Sequence, residues 1–400
     1  MTTLFQNKKR NLWIIVGITV LNAIGMTIVF PLFPFLLGLY VPATDIPFTM
    51  SALVSVFAVC TFFAAPIFGA LSDRYGRKSI LLISLLGSAA GYVLLGAGGA
   101  LWVLFLGRII DGLTAGNQSA LFAYITDSTE PNERGKWFGY IGGAIGLGFM
   151  IGPAIGGVLG AASITLPFFI TAGITLVSMF CIAVLLPESL PIEKRTTHLT
   201  LKSFNTFYHF KEIFSLKDAR SLLVMGVFFY VGLNIWQFNA SIFLKDVFLW
   251  GPSFIGGIFV LVGICDILSR VIVLPQMLKR WSEQTVGIIG LCGLVLGLGL
   301  IFLSAYIHSV LLIIGAVAFI VLGEGLFDPS YNARLSLSVD ESKQGLLQGT
   351  NQSLQALYHV IVPLGAAAIY TYSHGAVFGI AAVLMVFGLV LFMKLKTKRV

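Results

Sequence analysis

Seven charged side chains lie inside otherwise apolar stretches of the chain; besides Arg334, six of them fall in three close pairs. Arg108 and Asp111 are three residues apart, while Asp266 and Arg270, and Glu324 and Asp328, are each four apart. Such spacings put both members of a pair on one face of an α-helix. An ionisable group at membrane depth is costly and marks function unless an internal partner neutralises it. Both readings stand for the Arg108–Asp111 and Asp266–Arg270 pairs. Glu324 and Asp328 differ because both are acids, and two carboxylates that close in a medium of low dielectric resist double ionisation. A carrier that takes up and releases a proton needs that property; the alternative is pairing with Arg334 or with partners on another helix. Asp328 also precedes Pro329, which removes a backbone hydrogen bond and loosens the helix there.

A second set is polar but uncharged: Asn22, the run Asn234, Trp236, Gln237 and Asn239, then Asn332, Gln352, Gln355 and His359. These side chains either line a substrate cavity or form hydrogen bonds between helices. The 33 phenylalanines suit an apolar or aromatic substrate, although in such a chain most would pack or face lipid.

The elements that hold these residues follow from composition. Of 400 residues, 57% are apolar and 10% charged, against about a quarter charged in soluble domains. The charges cluster between apolar stretches of the ~20 residues that an α-helix needs to cross ~30 Å of hydrocarbon. Soluble enzymes, disordered chains, coiled coils and disulfide scaffolds are excluded. Cys60, Cys181, Cys265 and Cys292 all lie within apolar spans and read as small packing residues. The five histidines lack metal-ligand spacing, and no phosphate-cradling G-x-x-x-x-G-K-[ST] sequence occurs. The net charge of +8 is scattered rather than gathered into a nucleic-acid-binding patch.

Twelve spans are expected, at about 11–39, 48–71, 79–98, 101–126, 137–160, 165–186, 219–244, 252–275, 285–305, 309–338, 345–370 and 374–393. The apolar run after Lys8, Lys9 and Arg10 is too long for a signal peptide and reads as a retained helix. The N-terminus, the even-numbered loops and the C-terminal tail carry 21 of the 25 lysines and arginines, and the odd-numbered loops carry only Lys245. The positive-inside rule then places both termini in the cytoplasm. The long polar stretch divides the chain into an N-terminal six-helix bundle over 1–186, a cytoplasmic linker over 187–218 and a C-terminal six-helix bundle over 219–400. Within the linker, Leu201, Phe204, Phe207, Phe210 and Phe214 recur at three or four residues, which suggests an amphipathic interfacial helix. The halves also repeat: Gly135 and Gly345, Gly139 and Gly349, and Pro153 and Pro363 are each 210 residues apart. Parallel repeats of this kind build many secondary transporters.

The second loop, Gly69-Ala70-Leu71-Ser72-Asp73-Arg74-Tyr75-Gly76-Arg77-Lys78, sets one acid among three cations, with Gly69 suited to close helix approach and Gly76 to a sharp bend. Its pattern is similar to G-x-L-x-D-R-x-G-R-K, the signature loop of the major facilitator superfamily. In that family the loop acid meets the start of the eleventh helix, and the distal arginine pairs with an acid ending the fourth. The resemblance implies a charge latch of Asp73, Arg77 and Asp127 on the inner gate. The run Leu104, Arg108, Asp111, Gly112 resembles the L-x-x-x-R-x-x-Q-G motif linked to proton coupling, with Asp111 in place of glutamine. Gly139, Gly148, Gly152, Pro153, Gly156 and Gly157 fit the G-x8-G-x3-G-P-x2-G-G pattern of the antiporters. The segments around Asn22 and Gly345–Thr350 resemble the tetracycline-efflux branch of the twelve-span drug:proton antiporters. That branch carries acids in its first, third and ninth helices, where this chain has Asn22, Gly91 and no charge, which argues against tetracycline as substrate.

The expectation is therefore an all-α membrane protein of twelve transmembrane helices in two pseudo-symmetric bundles, and not an enzyme. It would act as a monomer in the cell membrane, with no cofactor, and would exchange protons for lipophilic or amphipathic small molecules. The proton-coupling candidates are Arg108, Asp111, Asp266, Glu324 and Asp328; the substrate candidates are Asn22, Asn234, Trp236, Gln237, Asn239, Asn332, Gln355 and His359. A metabolite or sugar symporter, or a lipid translocase, are the alternatives.

Overall fold

A computed structural model of the chain describes residues 2–115, 117–130, 134–195, 217–336, 338 and 344–395. The amphipathic segment expected over 199–214 lies outside the described residues. The described elements are helical throughout: α1 (Thr2–Ile28), α2 (Phe33–Leu37), α3 (Ile46–Tyr75), α4 (Arg77–Ala97), α5 (Leu101–Leu113), α6 (Asn117–Ser128), α7 (Arg134–Ala162) and α8 (Leu166–Leu185) come first. After the linker come α9 (Lys217–Phe248), α10 (Pro252–Ile267), α11 (Leu274–Leu278), α12 (Glu283–Ile307), α13 (Val310–Ser336), α14 (Gln344–Tyr372) and α15 (Ala376–Lys394).

Local chemistry sets the boundaries. Gly76 separates α3 from α4 at φ 99°, a backbone region that strains side-chain-bearing residues, and Gly98 and Gly99 end α4 at φ 57° and 88°. Ser282 caps α12 by accepting from the Thr285 N–H at 3.2 Å. A π-helical turn, Leu268–Val273, joins α10 to α11.

Ten helical stretches among the described residues are long and apolar enough to cross a membrane. The remaining two of the twelve spans are the fourth and the eleventh, and they fall short for different reasons. The fourth breaks at Thr114–Ala115 into α5 and α6, so the continuous helix expected over 101–126 is in fact two short ones. In the eleventh, α14, the apolar stretch found among the described residues is Leu357–Tyr372, and Gln348, Asn351, Gln352 and Gln355 fall in the half before it.

The chain folds as two compact units. One comprises residues 1–42, 56–204 and 251–260, the other 43–55, 205–250 and 261–400. Each therefore includes a short segment of a helix that otherwise belongs to the other half of the sequence. Inside the first unit, α1 packs on α7 and α8, and α4 packs on α5 and α8. Inside the second, α9 packs on α14 and α15, and α12 packs on α13 and α15. These are the same neighbours when the spans of one half are mapped on those of the other. The internal repeat read from three matched residue pairs is thus a repeat of helix packing.

Candidate functional site

The second unit gathers three carboxylates around one guanidinium. Arg270 sits in the π-helical turn, a form that recurs at functional sites because its widened turn re-aims side chains. Its Nε donates to Asp266 Oδ1 at 2.6 Å, Nη1 lies 3.6 Å from Asp328 Oδ2, and Nη2 lies 3.9 Å from Glu324 Oε1. Ser269 fixes the turn by donating to the Leu322 carbonyl at 3.0 Å. Gly325 makes room for it, since a Cβ there would meet Ser269 Cβ at 2.7 Å. The sequence left Glu324 and Asp328 open to coupling or to pairing with Arg334. Arg334 instead donates to the Leu395 carbonyl at 3.2 Å and covers the Phe392 ring at 4.7 Å. The partner of both acids is Arg270, and one cation cannot neutralise three ionised carboxylates.

Asp328 has a second set of neighbours. Its Oδ1 accepts from Tyr230 Oη at 3.2 Å and from Asn332 Nδ2 at 3.0 Å. The Tyr230 ring stacks on Tyr358 at 6.3 Å and stands edge-on to Tyr331 at 6.0 Å. The hydroxyls of Tyr331 and Tyr358 and the Oδ1 of Asn234 are buried without a hydrogen-bond partner. Sequence reading passed over these tyrosines because aromatic residues are common here. A signal was nevertheless present: Tyr331 follows Asp328 by three residues, Tyr230 precedes Asn234 by four, and Tyr358 adjoins His359.

The other polar candidates disperse. Asn234 and Asn239 are buried, and their amides donate to carbonyls of their own helix, Tyr230 O at 2.6 Å and Ile235 O at 2.8 Å. Trp236 is buried against Phe378 at 6.4 Å, while Gln237 is exposed, so the run on α9 does not form one polar face. His359 is half-buried, edge-on to Phe238 at 5.5 Å. Asn22 and Gln355 are half-buried as well. Asn332 hydrogen-bonds one of the clustered acids, Asp328, at 3.0 Å; the side chain of Gln352 lies outside the described residues.

The first unit has its own charge pair. Arg108 Nη1 donates to Asp111 Oδ2 at 3.1 Å, and its guanidinium lies 3.9 Å from the centre of the Phe57 ring and 5.7 Å from that of Phe33. Such cation–π contacts stabilise a desolvated guanidinium by about 2 kcal/mol. Nε of Arg108 is buried and unpaired. Asp111 packs directly on Gly91, where a Cβ would meet Asp111 Cβ at 2.8 Å and the Gly107 carbonyl at 2.7 Å. A carboxylate at position 91 has no room, and Asp111 occupies the space it would take.

The charged turn between α3 and α4 is more elaborate than its sequence pattern. Arg77 is buried and bridges Asp73 at 2.6 Å and Asp127 at 3.0 Å, with Nη1 donating to Ser72 Oγ at 2.6 Å. Arg74 is exposed, and its guanidinium lies 5.3 Å from the centre of the Tyr75 ring; Lys78 Nζ donates to the Ala183 carbonyl at 2.7 Å. Among the described residues, none lies within 4 Å of a Cβ placed at Gly69. Residues 339–343, which precede α14, lie outside the described residues.

An unexpected member of this turn is Glu188. Its carboxylate accepts from the Arg77 N–H at 2.8 Å and the Lys78 N–H at 3.2 Å, two of the orphan donors that begin α4. It also accepts from the Ser189 N–H at 3.0 Å and the Leu190 N–H at 3.1 Å, and Arg195 lies 4.0 Å away. No local pattern announces this role, because Glu188 follows Arg77 by more than a hundred residues.

The fifth span packs as its glycines suggest, with one exception. A Cβ at Gly148 would collide with Ala23, at Gly152 with Thr27, and at Gly156 with the Ile28 carbonyl, so α7 lies against α1 backbone to backbone. Thr27 Oγ1 donates to the Gly148 carbonyl at 2.7 Å. On the other side, Gly157 and the Pro153 carbonyl abut Gly256, and Ser253 Oγ donates to the Gly157 carbonyl at 3.1 Å. Gly139 faces open space and takes no part in this packing.

Comparison with known proteins gives a consistent picture. The description Major Facilitator Superfamily matches residues 15–363. The chain is 33% identical to the class H tetracycline resistance protein of Pasteurella multocida, over 91% of this chain and 90% of that protein. It is 28% identical to Multidrug resistance protein 2 of Bacillus subtilis (strain 168), over 98% and 97% of the two chains. Among solved structures, a D-xylose-proton symporter superposes with TM-score 0.78 at 15% identity, covering 97% of each chain.

Proposed function

The chain belongs to the Major Facilitator Superfamily, in its tetracycline-efflux and multidrug branch, and from that premise we propose that it exports lipophilic or amphipathic small molecules in exchange for protons by alternating access. The observation that carries the reading is the Arg270 cluster. Three carboxylates within 4 Å of a single guanidinium bear a formal surplus of two negative charges when all are ionised. Protons or a cationic substrate relieve that surplus, so the two compete for the same acids, and competition of this kind makes exchange obligatory.

The roles then divide. Asp266, at 2.6 Å, holds Arg270 in place, and Glu324 and Asp328 carry the proton. Arg108 and Asp111 form a second coupling pair, whose acid stands where the third-helix acid of the tetracycline-efflux branch has no space. Asp73, Arg77 and Asp127, with Glu188 capping α4, form the latch that governs the inner gate. The glycine face of α7 serves as a hinge. Both termini are cytoplasmic, the protein resides in the cell membrane and acts as a monomer, and the halves are 1–186 and 219–400, joined by 187–218.

Efflux from energised inverted vesicles tests this reading. An imposed pH gradient, acid inside, drives a lipophilic dye such as ethidium into the vesicles, and collapse of the gradient releases it. If the gradient moves no substrate, the exchange reading fails. Tetracycline itself is the informative second substrate, because Asn22 and Gly91 replace acids of that branch.

A further inference from the structure

Near the end of α13, Arg334 ties together three helices of the second unit. Its Nη2 donates to the Leu395 carbonyl, just past α15, at 3.2 Å, and Gln284 Nε2 on α12 donates to the same carbonyl at 3.3 Å. The guanidinium also covers the Phe392 ring at 4.7 Å, and that ring packs so closely on α12 that a Cβ at Gly287 would meet it at 2.8 Å. The first unit is built alike. Tyr124 precedes Arg334 by 210 residues, the interval of the internal repeat, and its Oη donates to the Pro187 carbonyl, just past α8, at 2.9 Å.

The charges are reversed between the units. In the first, α4 opens with a cation, Arg77, which meets the acid Asp127 near the end of α6 at 3.0 Å. In the second, α12 opens with an acid, Glu283, and the cation stands near the end of α13. The units also differ in closure. The Arg77 pair is made, whereas Nη1 of Arg334 is buried without a hydrogen-bond partner, although Glu283 is near enough for its charge to act on Arg334. A buried charged donor left unpaired is costly, so an arrangement that pairs it is favoured by what it recovers. Nη1 is covered and Glu283 is exposed, so the two meet only when the start of α12 shifts against the end of α13. Building on the transport reading above, we propose that Arg334 and Glu283 form a second inner clasp, open in this structure and closed in another state of the cycle, whose closure sets the turnover rate. Arg334 is thereby a positioning residue, acting through the helices it ties and not on substrate or proton.

Glu283→Gln is the discriminating variant, because it removes no hydrogen bond made among the described residues and so leaves this structure intact. In gradient-driven ethidium uptake by inverted vesicles it should lower turnover about fivefold with KM within about twofold of wild type, and the purified variant should unfold nearly with the wild type. Arg334→Gln should lower turnover at least as much, and adding Glu283→Gln to it should cause no further loss, as for two residues that act as one contact. Approach of the pair is read without transport. In detergent, the full-length chain with its four native cysteines replaced by alanine and carrying Glu283→Cys/Arg334→Cys should form a disulfide under mild oxidation. Wild-type turnover in Glu283→Gln, losses that multiply in the double variant, or failure of the cysteine pair to oxidise would each overturn the proposal. A wild-type protein without gradient-driven flux contradicts the transport reading, while the disulfide still reports whether the clasp closes.

Discussion

Removing the guanidinium from the acid cluster tests whether its charges are energetically linked. In Arg270→Gln the side chain stays polar but is uncharged and two atoms shorter, so Asp266, Glu324 and Asp328 lose the cation that lies 2.6, 3.9 and 3.6 Å from them. Truncating one partner of a buried ion pair costs about 3–5 kcal/mol, because the other charge is left uncompensated. Arg270 keeps 36% side-chain exposure, so water screens part of the loss and the low end of that range, about 3 kcal/mol, is the expected destabilisation. Unfolding in mixed micelles by SDS, followed by intrinsic tryptophan fluorescence, reads it as a lowered midpoint. The decisive arm is the double variant Arg270→Gln/Asp266→Asn. Neutralising the nearest acid removes one of the three charges left stranded, and the double variant should recover at least ~1 kcal/mol over Arg270→Gln alone, within the usual coupling of contacting residues. A double variant as unstable as the sum of its parts refutes the linkage, and so does an Arg270→Gln protein that unfolds with the wild type.

Substitutions at three further positions address the turn and the hinge. Glu188→Ala strips the acceptor from the first backbone N–H groups of α4 and should destabilise the protein by about 1–2 kcal/mol, as a lost helix cap does. It should also lower turnover with KM unchanged, whereas Glu188→Gln keeps part of both; wild-type stability and turnover in Glu188→Ala would remove Glu188 from the latch. Gly156→Ala forces a methyl group onto the Ile28 carbonyl and should cost about 1–3 kcal/mol, seen as a lower thermal midpoint. Gly139→Ala points into open space and should be neutral or stabilising by up to about 1 kcal/mol. Equal effects at the two glycines would contradict the assigned packing.

The comparison of these residues with their sequence shows which signals travel. Spacings of three and four within apolar runs placed Arg108 beside Asp111, and Asp266 beside Arg270, because helix geometry alone brings such pairs together. The Asp127 partner of Arg77 came from the family resemblance and from no local rule, since fifty residues separate the two. Glu188 and the tyrosines grouped around Asp328 were not legible, because each joins elements distant in the chain and is made of residue types that usually have ordinary roles. Arg334 was a reasonable partner for Glu324 and Asp328 on its own helix. The π-helical turn changed that outcome by presenting Arg270 to both acids, and no residue pattern announces such a turn. Gly69 and Gly139 differ from the other motif glycines in meeting no described residue within 4 Å of a Cβ.

The central claim is that substrate and proton compete for Glu324 and Asp328. Proton release on substrate addition measures it most directly, in weakly buffered detergent solution with a pH-indicator dye and the purified protein. The account predicts about one proton released for each substrate bound by the wild-type protein, and none by the Glu324→Gln/Asp328→Asn variant. Undiminished release from that variant, or substrate binding to the wild type with no release at all, would contradict it.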